Sequence, residues 1–455
     1  MKRIFEIFEE ILSIPRSSGN ENQIVNYLMD FAKNHNLESN KDKFNNVLIK
    51  KNNHSDKTII LQAHSDMVCV SDIEYDFDNK GIDFYIDDDY YKARHTSLGA
   101  DDGIGIAIIL AMLEETENMP NIEAMITTQE ETTMLGAMNF NYDLLSANTL
   151  ISLDGIKEAD IESSSAGMCS LTISKKIKFE TSEDSFYKLT ISGLAGGHSG
   201  DDINKHRCNA IKLLSMILCK LNYTNLSDIR IGEKDNVIPS EGYVIFSSTQ
   251  DLKELKDNLN NLNFNLSKSD SNLKIDIDKY INNIKIKNSN EIIDFINELE
   301  DGLLETFIDD DFPLLSSNIG KISLENNELI IKMSLRSADI YKEEKQLNKL
   351  KSLCTKYHFT LNIDAQKPFF PFRENSKIRL LLSDTYKELY QKDTVTKKIH
   401  ACMEGGIICN NIDNLDICTI APTIDDCHTI KEKVSISSTK RVYNWLKLCL
   451  QKYNN

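Results

Sequence analysis

The 455-residue sequence has no excess of positive charge: 52 Lys and Arg stand against 70 Asp and Glu, a formal net charge of −18. Nucleic acid rewards basic surfaces, so it is excluded as the expected partner. An anionic membrane has nothing here to attract it, and the acid excess reads as a solubility device. No apolar stretch approaches the roughly 20 residues needed to cross a bilayer. The opening MKRIFEIFEEILSIP does not read as a signal peptide. Acidic residues interrupt it, and Phe5, Phe8, Ile11 and Leu12 mark one helical face. The ten cysteines contain no CxxC pair, which removes support for a cysteine zinc site and leaves free thiols in an intracellular chain. Gly and Pro are not enriched, at 18 and 7 residues, and no internal repeat is visible. A cytoplasmic globular protein remains, long enough for two or three domains.

The first 165 residues alternate in an α/β manner. Helical patterns cover 1–15, 22–36 and 103–115. Continuous apolar strands are predicted at NVLIK (46–50), TIILQA (58–63), EAMITT (123–128) and NTLISL (148–153). That texture predicts a buried, mostly parallel sheet. From about 168 to 368, alternating stretches such as LTISKKIKF (171–179), YKLTISGL (187–194) and LIIKMSLRS (329–337) predict half-exposed strands, interrupted by an Asn/Lys-rich tract at 250–300. After about 370 the α/β pattern returns, with helices at 376–392 and 437–452 and a strand at DICTIAPT (416–423). The expected organisation is one α/β domain, 1–167 with 369–455, split by an inserted α+β domain at 168–368.

The proposed core strands end alike. TIILQA runs into His64-Ser65-Asp66, EAMITTQ into Glu130-Glu131, NTLISL into Asp154, and CTIAPT toward Asp425-Asp426-Cys427-His428. LGADDGIG (98–105) adds Asp101 and Asp102 at a helix start. Ligands of open α/β sheets sit at the carboxyl ends of strands. Any one of these motifs is common and mostly structural; an ADDG alone is an ordinary helix start. Together they form a cluster of imidazoles and carboxylates that needs cations or protons to neutralise it. The donor set suits zinc, cobalt or manganese and is large enough for two metals sharing one carboxylate.

The chain resembles the cytosolic Xaa-His (aminoacyl-histidine or β-alanyl-histidine) dipeptidases, di-zinc exopeptidases with a catalytic domain and an inserted lid. The likeness runs nearly end to end. It is carried by IPRSSGNE (14–21), AHSDMV (63–68), LGADDGIGIA (98–107), TTQEET (127–132), GGHSG (196–200), NVIPSE (236–241), SLRS (334–337), IHACMEGG (399–406) and APTIDDCH (421–428).

The resemblance implies that Asp101 bridges two divalent metals, His64 and Asp154 completing one site and Glu131 and His428 the other. Zinc is the expected metal, with cobalt or manganese as alternatives. Asp66 would orient His64, and Glu130 would be the general base. His198, in the lid, would stabilise the oxyanion. Asn236 and Arg336 would contact substrate, the arginine at its terminal carboxylate. Glu404 and Gly405 would line the pocket, and His400 would be pocket or buried structure. The peptide after the bridging aspartate, Asp101–Asp102, would be cis.

Some positions depart from the family. Gly155-Ile156 follows Asp154 where Ser-Glu is usual, and Thr429-Ile430-Lys431-Glu432 replaces Ser-Pro-Asp-Glu after His428. Ser240 stands for an arginine and Phe372 for a tryptophan. None removes a metal ligand or Glu130; they touch the pocket and the residues that support the ligands, and so bear on substrate preference more than on catalysis. The expected activity is hydrolysis of Xaa-His dipeptides such as β-alanyl-histidine. The alternatives are a broader di- or tripeptidase, an aminoacylase, or a non-catalytic metal-binding relative. The expected partner is a small peptide, and relatives allow a homodimer.

Overall fold

The computed structural model describes residues 2–221, 223, 225–264, 266–308 and 311–455. The chain divides into two compact units. Met1–Ser165, Phe370–Lys398 and Met403–Asn455 form the first; Ala166–Phe369 and Ile399–Cys402 form the second.

The first unit is built on a mixed sheet. Its central strands, in the order Asn121–Thr127, Thr58–His64, Thr149–Ser152 and Asp416–Thr419, are parallel. The continuous apolar runs explain this: Ile59, Ile60 and Leu61 are all fully buried, so both faces of the strand are covered. Val47–Lys51 joins the sheet antiparallel to Asn121–Thr127, and Glu38–Lys41 continues that edge. The register sets His64 beside Thr127 and Gln62 beside Ser152, which in turn faces Thr419. The four strands therefore end almost level, and whatever follows them meets at one edge.

One helix, Ala100–Glu114, is apolar all round and buried on nearly every side, as a central helix must be. Lys2–Leu12 lays Ile4, Ile7, Phe8 and Ile11 inward at helical spacing. Helices Lys377–Tyr390 and Ile436–Asn454 are locked by Trp445, which is fully buried and donates its indole N–H to the Leu382 carbonyl at 2.7 Å.

The strand expected over 416–423 stops at Thr419. Pro422 has no N–H to extend a ladder. The chain then forms a separate short strand, Ile424–Asp425, paired antiparallel with Lys433–Ser435. His428 thus sits on a loop pinned at both ends, not at the tip of a core strand.

The second unit is an antiparallel sheet in the order Lys274–Tyr280, Ser185–Ser192, Gly242–Ser248, Asn225–Ile231, Pro313–Glu325, Glu328–Ser337, Gly167–Lys176 and Thr360–Lys367. Helices Ala210–Lys220, Asn290–Glu298 and Ile340–Lys356 contribute buried side chains to its core. The Asn/Lys-rich tract contains regular elements. Helix Leu252–Asn260 starts with a capping box between Asp251 and Glu254, and Asn290–Glu298 buries Ile292, Ile293, Phe295 and Ile296. Sparse but correctly spaced apolar residues suffice there, because one stripe per helix is all the core needs.

Candidate active site

The level strand ends of the first unit, the start of the helix Ala100–Glu114 and the loop between Ile424–Asp425 and Lys433–Ser435 bring the sequence-predicted acids and imidazoles together. His64 is the last residue of its strand and is 1% exposed. Its Nε2 lies 3.1 Å from Asp101 Oδ1 and 3.5 Å from Asp154 Oδ1. From the other side, His428 Nε2 lies 3.1 Å from Asp101 Oδ2 and 3.1 Å from Glu131 Oε1. Asp101 therefore faces an imidazole with each oxygen. Two groups, His64–Asp101–Asp154 and Asp101–Glu131–His428, each hold three donor atoms within 4.8 Å of one another and share Asp101. A third group joins His64, Glu130 and Glu131.

The Asp101–Asp102 peptide is cis, as the resemblance implied. Asp102 itself turns inward, where its Oδ1 accepts the backbone N–H of Gly105 at 3.1 Å. Asp66 is fully buried behind His64, its Oδ1 3.4 Å from His64 Nδ1. Ser18 donates its hydroxyl to Asp66 Oδ2 at 2.7 Å.

The electrostatics show how crowded the acids are. Burial, then the charge of Asp154, pushes the Glu130 carboxyl well above its ordinary range. Burial and neighbouring carboxylates raise Asp102 and Asp154 as well. At Asp101 burial acts upward, but hydrogen bonds from His428 and His64 outweigh it and hold the group low. His428 is raised to about 11 by Asp101 and Glu131. His64 is raised well above 6.5 because Asp154, Asp101 and Asp66 overcome its desolvation. Such a cluster keeps protons, or cations, to offset its charge.

The donors fit divalent metal. Two ligand atoms each about 2.0–2.1 Å from a tetrahedral zinc stand about 3.3 Å apart. The four imidazole–carboxylate separations here span 3.1 to 3.5 Å. Glu131 Oε1 is buried, and the polar group it faces at 3.1 Å is the His428 imidazole, its partner in the same donor group.

Glu404 opens the helix Glu404–Asn411 and is 1% exposed. Its Oε2 accepts hydrogen bonds from Gln62 Nε2 at 2.9 Å and Thr127 Oγ1 at 2.6 Å, while Oε1 has no hydrogen-bond partner among the described residues. Burial raises its carboxyl to about 8, and its charge adds to the upward shift of Glu130. Gly405 packs on Phe370, which leaves little room for a side chain. Sequence reasoning misses Gln62 and Thr127, although both lie on strands whose ends it marks.

The second unit gathers its own predicted residues. Arg336, on the strand Glu328–Ser337, is 2% exposed. It donates Nε to Ser199 Oγ at 3.3 Å and Nη2 to His198 Nε2 at 3.5 Å. His198 Nδ1 is 3.2 Å from Asp201 Oδ2. The Asn236 carbonyl accepts the Ser199 N–H at 2.9 Å. His400, also in this unit, meets Ser316 Oγ with Nε2 at 2.7 Å. An arginine on an alternating strand normally points to solvent; this one is buried.

Comparison with known proteins agrees with this geometry. Residues 46–190 match the sequence profile described as Peptidase family M28. The chain is 30% identical to the cytosol non-specific dipeptidase of Escherichia coli, over 97% of this chain and 96% of that one. It belongs to the aminoacyl-histidine dipeptidase family. The crystal structure of an aminoacylhistidine dipeptidase from Vibrio alginolyticus superposes with a TM-score of 0.87, at 26% identity, over 99% of this chain and 96% of the other. An aminopeptidase PepT from Bacillus cereus shares the fold, with a TM-score of 0.62 and 15% identity over 100% and 99% of the two chains. As a member of this dipeptidase family, the protein is a peptide-bond hydrolase of the metallopeptidase type that uses divalent metal.

Proposed function

We propose that this dipeptidase hydrolyses Xaa-His dipeptides, β-alanyl-histidine among them, in the cytoplasm. Two divalent cations, zinc in first place, are held by His64, Asp101, Asp154, Glu131 and His428. The observation that carries this reading is Asp101, whose two oxygens face two separate sets of imidazole and carboxylate donors. When bound, such a metal pair supplies Lewis acidity to the scissile carbonyl and acidifies water.

The chain's own residues do the rest. Glu130 is the general base: it takes the proton of the attacking water and passes it to the leaving amine. Burial and then the Asp154 charge raise its carboxyl, which makes it a stronger base than an exposed glutamate. Asp66 orients His64 and, through the backbone N–H groups of Glu130 and Glu131, the turn that carries both glutamates. In the second unit, read as the lid, His198 stabilises the oxyanion. Arg336, together with Asn236, takes the substrate's terminal carboxylate. The direct contact of Arg336 with His198 supports assigning them to one substrate-facing group. Glu404 and Gly405 line the pocket.

A broader dipeptide range is the second reading, favoured by the E. coli relative, which is named for non-specific action. Hydrolysis of β-Ala-His, Ala-His and Gly-Leu, each with added zinc, cobalt or manganese and with a chelated control, separates the two. Metal-dependent cleavage that favours C-terminal histidine is expected. Equal cleavage of Gly-Leu would move the substrate to the broader range. Bound metal without cleavage would end the catalytic reading.

A further inference from the structure

Two buried charges have no part in the chemistry above. Arg16, from the IPRSSGNE stretch, is 1% exposed, and Glu432 is 3% exposed. Each is spent on backbone. Glu432 Oε2 accepts the N–H groups of Leu98 at 2.8 Å and Gly99 at 3.0 Å; its Oε1 accepts those of Ala100 at 2.7 Å and Asp101 at 3.3 Å. Arg16 donates Nη1 to the carbonyls of Ser65 at 3.1 Å and Asp66 at 2.7 Å, and Nη2 to the carbonyl of Gly99. Gly99 thus gives its N–H to the carboxylate and its C=O to the guanidinium.

Two of the three glycines of LGADDGIG, Gly99 and Gly103, follow from this arrangement. A Cβ on Gly99 would stand 2.6 Å from Arg16 Nη2 and 2.7 Å from Met67 Sδ, at a backbone φ of +72°. A Cβ on Gly103 would also stand 2.6 Å from Arg16 Nη2. The loop is shaped to admit the guanidinium. Burying a charge is costly unless it is fully hydrogen-bonded, and surface loops do not need such fasteners. What this loop presents is Asp101.

We propose that Arg16 and Glu432 are positioning residues that fix the Asp101 carboxylate: the acid grips the loop's amides, the arginine ties its carbonyl to the strand end bearing His64. The inference rests on the metal-binding role proposed for Asp101. Neither residue touches substrate or metal. They set the spacing between Asp101 and His64, which lie in parts of the chain 37 residues apart. Arg16 does this with a planar fork that a lysine cannot reproduce.

The test uses the full-length protein with Glu432→Gln, Arg16→Lys and, as a control, Glu123→Gln. Glu123 is likewise a buried carboxylate on backbone amides, those of Ser146 and Ala147, away from this loop. Zinc affinity is measured by competition with a chromophoric chelator, Tm on the chelated protein, and kcat and KM at saturating zinc. Removing a ligand's hydrogen-bonded support typically weakens metal binding about 10- to 100-fold. Glu432→Gln and Arg16→Lys are expected to lose zinc affinity by that factor and to lower kcat with KM unchanged. Glu123→Gln is expected to lower Tm alone. If Glu432→Gln does not fold, Arg16→Lys keeps the buried charge and is read the same way.

Zinc binding within twofold of wild type in the folded variants, whatever their Tm, overturns the proposal. Weakened zinc binding in a protein whose wild type cleaves no dipeptide supports positioning and removes the peptidase reading alone. A wild type that binds no zinc, cobalt or manganese overturns both.

Discussion

The backbone N–H of Glu130 donates to Asp66 Oδ1 at 3.0 Å. The same carboxylate accepts the Glu131 N–H at 3.3 Å and stands 3.4 Å from His64 Nδ1. One buried acid therefore joins the strand end that carries an imidazole to the turn that carries two glutamates. Burial acts to raise Asp66, but hydrogen bonds from His64, Ser18 and the backbone hold it below its ordinary range, so it stays ionised and can orient all of them.

Glu130→Gln keeps the shape of the side chain and removes its capacity to take a proton. Loss of a general base typically costs about 10²- to 10⁴-fold in rate. We expect kcat on β-Ala-His to fall by that factor while zinc stoichiometry stays at the wild-type value. Wild-type kcat with metals bound would contradict the assignment.

Arg336→Ala should act on binding. A hydrogen bond to a charged group contributes about 1.5–3 kcal/mol, which corresponds to roughly a 10- to 100-fold rise in KM. The variant should also stop distinguishing a dipeptide from its C-terminal amide, which wild type should reject. Unchanged discrimination between acid and amide would place the carboxylate elsewhere.

Metal binding should release protons. With no cation present, His428 is raised to about 11 and His64 well above 6.5, so both imidazoles hold a proton at neutral pH. A ligand imidazole is neutral, so loading the site expels those protons. Calorimetric titration with zinc at pH 7, in buffers of different ionisation enthalpy, should show net proton release, and affinity should weaken as pH falls. A zinc enthalpy independent of buffer would contradict this.

His400 should make the second unit sensitive to acid. Burial first, and then the Arg336 charge, lower it to about 3. The unfolded chain binds the proton below about pH 6.5. Between pH 6.5 and 3 the unfolded state holds more protons than the native state, so stability falls as pH falls. Above 6.5 the group has no effect. At pH 5 the loss amounts to about 2 kcal/mol. Urea unfolding of wild type and His400→Gln at pH 7 and pH 5 should show the variant losing about that much less. Parallel losses would mean that His400 titrates normally.

Much of the site was legible because its signals are local. TIILQA followed by His-Ser-Asp announces a buried strand and a polar end, and EAMITTQEE does the same. Residues whose role depends on distant partners were not legible by pattern. Arg336 reads as a surface residue of an alternating strand, yet it is buried against Ser199 and His198, 137 and 138 positions away. Arg16 and Glu432 lie in stretches compared with the family, but nothing local in the sequence marks their role. Their burial depends on seven backbone groups that only the folded loop aligns.

The sequence by itself determined the strands Thr58–His64, Asn121–Thr127 and Thr149–Ser152, the central apolar helix, and the histidine and acids at or just after their ends, because hydrophobic period and chain termination are read over a few residues. Tertiary structure alone decided that these ends are level. That depends on the parallel register setting His64 beside Thr127 and Gln62 beside Ser152. It also decided that His428 reaches Asp101 across 327 positions, from a loop pinned by two short strands. Such pairings are settled by the packing of the whole unit, and no window of sequence contains both partners.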